Sequence, residues 1–354
     1  MTIDPKSGKV LFFSDLHLGV HQNSATWHNI ALDLADWIDE VAIQHKIDTI
    51  FFAGDVFHDR HEIGVNTLHT AKKFFDKLSK YKVHLLPGNH DAFLSSTVEV
   101  NSVEILESEN VFVYTNPTTL LVGDKKVTFC PWKTDISNLE KVDMLVGHFE
   151  IMNFHMTATK ICDHGSNSED LLSKANCVVT GHFHTRDLRF YEDNKYILYL
   201  GSPYEMDFGD RGQRKGVSII DFNATGKESI KFIENNKTPK HFRIKISEII
   251  QKKYTNFEEM IKNNLISLYV DSHVDTLTLD LLIGKLTQYN PLQFRTEFNI
   301  LDKAQVDTKE VKKLSIDIET AFHEFVEHIE TKATKKEVLD KCLELYKMCQ
   351  ISHV

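Results

Sequence analysis

Five short apolar runs, each stopped abruptly by polar residues, set the strongest limit on how this chain folds. They read KVLFFSDLH, DTIFFAGD, VHLLPGNHD, VDMLVGH and NCVVTGHFH, and all of them fall before residue 185. Runs of this length, rich in Val, Ile, Leu and Phe, read as strands buried on both faces. Helical spacing separates some of them. Trp27, Ile30, Ala31, Leu34, Ile38 and Val41 follow a 3–4 period after Ser24 as cap, and Leu68, Ala71, Phe75 and Leu78 do so after Asn66. Alternating strands and helices imply an α/β domain, in which ligands bind beyond the carboxyl ends of the strands. Every one of the five runs puts Asp, Asn or His at that end.

Together the strand ends supply a chemically coherent set. The first gives Asp15 and His17, two apart and on one face if the strand persists. The others give Asp55, Asn89, His148, and His182 with His184. Carboxylate, amide and imidazole in this mixture suit two divalent ions of the manganese, iron or zinc type. No cysteine takes part, which argues against a structural zinc site. Asp15 and Asp55 contribute −2, and Asn89 and the neutral histidines contribute nothing. Two divalent ions would leave the centre positive, attractive to a phosphate ester and able to lower the pKa of a bridging water. Asp55 is the candidate shared ligand. Taken singly, each residue has an ordinary reading: Gly-Asp and Pro-Gly-Asn as turns, Gly-His as a surface or core histidine. Those readings would have to hold at five strand ends of one domain at once.

In this order, DLH, GDVFH, GNHD, GH and GHFH resemble the calcineurin-like metallophosphoesterase superfamily, over roughly residues 10–222. The resemblance implies an α-β-β-α sandwich. It also implies that Asp15, His17, Asp55 and His184 hold one metal, and that Asp55 with Asn89, His148 and His182 holds the other. The ions would be Mn²⁺ first, with Mg²⁺, Fe²⁺ or Zn²⁺ as the other candidates, and a hydroxide between them would attack phosphorus in line. His90 is then not a ligand but a donor to the leaving oxygen or the phosphorane, with Asp91 orienting it and keeping it protonated.

Further features bear on the subfamily. GDVFHDR puts His58 three residues after Asp55 and is similar to the SbcD-type DNA double-strand-break repair nucleases, in which such a histidine lies near metals and DNA. The GD-x-V-D-R-G pattern of protein phosphatases is absent from the chain. YLGSPYEMDFGDRGQRKGVSIIDF resembles that family's closing strand segment, and IENNKTPKHFRI is similar to its phage recombination members. LISLYVDS, LTLDLLIGKLTQY and LQFRTEFNI read as a strand–helix–strand unit, resembling the family's small α+β capping domain. After it, Leu314, Ile318, Phe322, Phe325 and Ile329 form a helical stripe. Thr334 and Glu337 then make a capping box for a last helix carrying Val338, Cys342, Leu343 and Tyr346. The resemblance makes this C-terminal helical segment the grip for the coiled-coil root of an SMC-like, ABC-type ATPase; its ordinary reading is a helical hairpin packed on its own domain. The expected divisions are 1–238 catalytic, 239–304 capping and 305–354 helix pair. The implied activity is 3′–5′ exonuclease and single-strand endonuclease action on DNA, from a homodimer. A small-nucleotide phosphodiesterase or phosphatase on the same fold is the alternative, and a non-catalytic scaffold is a third reading.

The formal charge of −10 does not itself point to a nucleic-acid binder, although a metal centre or partner subunit can supply local positive field. The five cysteines are odd in number and form no C-x-x-C pair, which argues for a reducing compartment. The N-terminus has no long apolar segment, and no run approaches the ~18 residues of a membrane span. The expected location is cytoplasmic: nucleoid-associated, or the host cytoplasm for a viral chain. Histidines outside the motifs, among them His21, His61, His155 and His164, read as surface or core residues, and MTATKICDHGSNSED as a surface loop or a substrate loop.

Overall fold

Each of the five apolar runs is a strand in the computed structural model, which describes residues 2–298, 326 and 334–351. β1 (Lys9–Phe13), β2 (Thr49–Phe52) and β3 (Lys82–Leu85) run parallel, with Phe13 opposite Phe52 and Phe52 opposite Leu85. β4 (Val142–Gly147) and β5 (Ala175–Thr180) are likewise parallel, with Gly147 opposite Thr180. In each group the carboxyl ends therefore finish level.

The two groups belong to different sheets. A six-stranded sheet runs in the order Ile230–Glu234, Gly216–Asp221, β1, β2, β3, Val111–Val113. A seven-stranded sheet runs Thr2–Ile3, Thr118–Val122, Lys125–Cys130, β4, β5, Tyr196–Tyr199, Asp187–Phe190. Successive side chains on a strand point to opposite faces. Leu11, Phe13, Ile50 and Phe52 thus pack with Leu34 and Ile38 of α1 (Ala25–Gln44) and Phe74 of α2 (Val65–Lys77). Phe12 and Phe51 turn the other way, onto Val127, Phe129 and Val146 of the second sheet. The Phe51 ring lies 5.0 Å from Phe12 and 4.9 Å from Phe129, edge-on to both. A third apolar layer joins Leu145, Val178 and Ile197 to Leu171 of α3 (Ser168–Lys174). The arrangement is helix, sheet, sheet, helix. Each fully buried phenylalanine at the seam contributes about 1.5–3 kcal/mol relative to leaving it exposed.

Ser24 precedes α1 as the spacing predicts. The start of α2 differs from expectation: Gly64 is its N-cap, and Asn66 lies inside the first turn, where its amide donates to Nδ1 of His28 at 2.9 Å. The chain divides into one unit of residues 1–268 with 272–296, and another of 269–271 with 297–354. β6 (His241–Lys245), β7 (Leu265–Val270) and β8 (Gln293–Phe298) form a three-stranded sheet in that order, with α4 (Thr276–Thr287) between β7 and β8. The predicted strand–helix–strand unit thus gains a strand from HFRIK. In the second unit α5 (Lys335–Ile351) opens with the capping box. The Thr334 N–H donates to Glu337 Oε2 at 2.9 Å and the Glu337 N–H to Thr334 Oγ1 at 3.3 Å. The stripe from Leu314 to Ile329 lies outside the described residues. Among the described residues no helix is long and apolar enough to cross a membrane.

His84, on β3, sits among the seam aromatics, stacked on Phe112 at 4.8 Å and hydrogen-bonded through Nδ1 to the Tyr114 hydroxyl at 2.7 Å. Burial pushes its pKa from the ordinary 6.5 down to about 4. Below pH 6.5 the unfolded chain takes up a proton that the fold refuses, so stability falls as pH drops from 6.5 towards 4. Between pH 7 and pH 5 this group should cost about 2 kcal/mol. Urea unfolding of the metal-free chain at the two pH values tests this: His84→Gln should narrow the difference by that amount, and an unchanged difference would clear His84 of the role.

Candidate metal centre

Beyond Phe13 the chain does not stay extended. Asp15 and His17 adopt left-handed backbone, φ 56° and 47°, so they are not two residues on one strand face as the spacing predicts. They are brought together by pairing with the next loop: the N–H groups of Leu16 and His17 donate to the Asp55 carbonyl at 2.8 and 3.1 Å, and that of Asp15 donates to the Gly54 carbonyl at 2.9 Å. Left-handed non-glycine residues cost about 1 kcal/mol or more each, so this loop holds its shape because the surroundings impose it. Two glycines permit the close approach. A Cβ on Gly88 would stand 2.2 Å from Asp55 Oδ1, and one on Gly54, whose φ is 92°, would stand 2.5 Å from His148 Nδ1.

The side chains at the five strand ends converge on the seam. Asp15, His17 and His184 bring one ligand atom each within 4.8 Å of one another, and Asp55, His148 and His182 do the same. Nε2 of His17 is 3.0 Å from Nε2 of His184 and 3.5 Å from Asp55 Oδ2. That same Oδ2 is 3.3 Å from His148 Nε2, so Asp55 stands between the two groups. Asn89 Oδ1 lies 3.0 Å from His148 Nε2 and 2.8 Å from His182 Nδ1. Asp15, His17, Asp55 and His148 are all at most 2% exposed.

Proton accounting shows what this arrangement fits. His148 donates from Nδ1 to the Ala53 carbonyl at 2.7 Å and turns Nε2 to Asn89 Oδ1 at 3.0 Å and Asp55 Oδ2 at 3.3 Å. His182 sets Nε2 3.5 Å from the Glu150 carboxylate and Nδ1 2.8 Å from Asn89 Oδ1. Nδ1 of His17 is buried with no hydrogen-bond partner among the described residues. Imidazole nitrogens, carboxylate oxygens and an amide oxygen converge here at 2.8–3.5 Å, and that donor set suits first-row divalent ions once the rings are neutral. The field agrees. Burial works against the Asp55 carboxylate, yet His148 and His17 hold it well below the usual carboxylate range. Burial likewise opposes charge on His148, but Asp55 drives its pKa up to about 9. The protein by itself draws positive charge to this point.

His90 and His58 flank the centre and, with His17, form a third cluster whose ligand atoms lie within 4.8 Å of one another. The His90 ring is 4.7 Å from the His17 ring and stacks on His58 at 5.7 Å. Its Nδ1 donates to the His58 carbonyl at 2.6 Å. The expectation that Asp91 orients His90 is corrected by the structure. The Asp91 carboxylate accepts the backbone N–H groups of Asp55, Val56, Phe57 and Gly88 at 2.9–3.0 Å, and so fixes the loops under Asp55 and Asn89. Four convergent amides outbid a neighbouring ring for a buried carboxylate. Glu150 was not singled out by its spacing: its hydrogen bond with His182 holds its own pKa down to about 2, and orients that ring. The polar stretch 156–170 adds His164 beside Glu150, 3.4 Å away.

Residues 8–207 match the family model described as calcineurin-like phosphoesterase. Similar solved structures include wild-type Vps29 from Entamoeba histolytica complexed with zinc, at 15% identity over 64% of this chain and 98% of that one, TM-score 0.32. They also include the Pseudomonas putida nuclease MPE, at 14% over 61% and 86%, TM-score 0.30. GAP50, the anchor in the inner membrane complex of Plasmodium, matches at 11% over 65% and 85%, TM-score 0.38. Likenesses this distant carry no argument about function.

Isothermal titration with manganese should find two ions bound per chain and a rise in melting temperature, about 2.7 kcal/mol of stabilisation for a site at a hundred times its Kd. Asp55→Asn should lose both ions, and Gly88→Ala should weaken binding roughly 10–100-fold by displacing Asp55. Tight binding by Gly88→Ala would refute the packing argument.

Proposed function

The chain belongs to the calcineurin-like phosphoesterase family, which makes it a metal-dependent hydrolase, and on that premise we propose that it cleaves phosphodiester bonds in DNA. Asp15, His17 and His184 with Asp55 would hold one ion, and Asp55, Asn89, His148 and His182 the other. Bound there, a pair of divalent ions supplies Lewis acidity towards a phosphate and makes water acidic at neutral pH.

The chain's own residues supply the rest. Asn89 contributes an uncharged oxygen, so Asp15 and Asp55 are the only carboxylates in the proposed ligand set and the loaded centre keeps net positive charge for a phosphate. Glu150 and the Ala53 carbonyl set the tautomers of His182 and His148. With Nδ1 of His90 donating to the His58 carbonyl, Nε2 is the nitrogen left to carry a second proton; the imidazolium would hand that proton to the leaving oxygen and return to the neutral ring. Asp91 acts through the backbone it grips and touches no substrate.

The observation that carries the DNA reading is the His58–His90 stack. His58 is exposed and His90 half-buried, so this flank of the centre is open to solvent, as a polymer substrate requires. The motif GDVFH, which supplies His58 to that stack, is one of the segments resembling SbcD-type nucleases. On this reading, 3′–5′ exonuclease and single-strand endonuclease action on manganese is expected, from a cytoplasmic homodimer working with an SMC-like ABC-type ATPase. Residues 239–304 would cap the site and residues 305–354 would grip the ATPase.

A manganese-dependent assay on labelled duplex DNA, single-stranded DNA and bis(p-nitrophenyl) phosphate tests the proposal. The wild type should cut DNA, and His90→Ala should lower kcat roughly a hundredfold or more with two ions still bound. Hydrolysis of the small diester with DNA untouched, even with the ATPase subunit added, would move the assignment to a small-nucleotide phosphodiesterase or phosphatase.

A further inference from the structure

Residues 202–215, SPYEMDFGDRGQRK, supply no ligand, yet they reach both loops that carry Asp15, His17 and His184. Tyr204, 2% exposed, donates its hydroxyl to the carbonyl of Leu16, the residue between Asp15 and His17, at 2.8 Å. Lys215, 5% exposed, directs its ammonium to the carbonyl of His184 at 2.7 Å, to Ser202 Oγ at 2.9 Å and to Asp210 Oδ1 at 2.7 Å. The Ser202 N–H donates to the same His184 carbonyl at 3.1 Å. An ammonium has three protons, and Lys215 commits all of them.

Burying a lysine is costly even when it is paired, and a packed apolar side chain would serve stability as well or better. What the ammonium does that an apolar side chain does not is fix the peptide of His184 in place. The Asp15–His17 loop needs an equivalent hold, because its left-handed residues relax unless restrained. Asn89 and His148 are held differently, through Asp91 and the Ala53 carbonyl, while the His182 ring meets Glu150 and its backbone N–H donates to Asp15 Oδ1 at 3.1 Å.

We propose that Tyr204 and Lys215 are positioning residues for one half of the metal centre, the half formed by Asp15, His17 and His184. The inference rests on those three residues being ligands of one ion; it does not depend on DNA being the substrate.

Manganese titration by calorimetry tests it without reference to activity. The variants are Tyr204→Phe, which removes one hydroxyl, and the charge-balanced pair Lys215→Met with Asp210→Asn, with circular dichroism to check the fold. Each should weaken one of the two ions tenfold or more and leave the other within twofold. In a His184→Ala background, where that half has already lost a ligand, the same changes should leave the remaining tight site within twofold. Unchanged binding at both sites, equal weakening of both, or loss of the remaining site in the His184→Ala background would each overturn the proposal. If the paired variant does not fold, Tyr204→Phe decides alone. A wild-type chain that takes up no manganese would instead remove the metal-centre reading itself.

Discussion

Asp15 and Asp55 are two carboxylates at most 1% exposed, ringed by imidazoles rather than by lysines or arginines. An ionised carboxylate in such a place is untenable unless positive charge meets it. The surroundings follow from that demand. Asp55 draws a proton onto His148, the loops cross at glycines so that oxygens and nitrogens can meet, and Asp91 gathers amides beneath to hold the arrangement. A divalent ion answers the same demand with more charge and leaves the rings neutral. The centre is therefore less a pocket cut into a finished fold than an electrostatic problem for which the fold is the solution.

That much was legible in the chain because two signals coincide. Apolar runs of strand length are hard to misread when parallel strands need both faces buried, and polar residues that stop five of them have few ordinary explanations. Most of what was not legible shares one cause: partners distant in sequence. Asp91 follows His90 directly, and adjacency made the ring its obvious partner, whereas the amides it accepts come mostly from residues 55–57. Asp15 and His17 have the right period for a strand face, but the backbone of the neighbouring loop turns them into left-handed conformations that no local pattern announces. Glu150 and Lys215 look like any other charged residues until the sheets bring them to His182 and to the His184 carbonyl. The α2 cap is a different matter: Gly64 holds the place that the spacing predicts for Asn66, a shift of two residues within the ordinary variation of a helix start.

The two halves of the centre have different supports. Asp91, Ala53 and Glu150 steady the side of Asn89, His148 and His182, while residues 202–215 reach the side of Asp15, His17 and His184. Within that segment, neighbouring side chains look opposite ways. Tyr204 turns to the Leu16 carbonyl, and Glu205 accepts the backbone N–H of His241, the first residue of β6, at 2.6 Å. One stretch of chain thus joins the small sheet to the metal loops by covalent bonds and short polar contacts.

The residues proposed to hold metal lie at strand ends of both sheets and span residues 15 to 184. A chain still emerging from the ribosome displays Asp15, Asp55 and Asn89 long before His148, His182 and His184 exist. On the proposed ligand assignment the full donor set exists only once residue 184 has been made, so a chain stopped before residue 148 lacks three of its seven members.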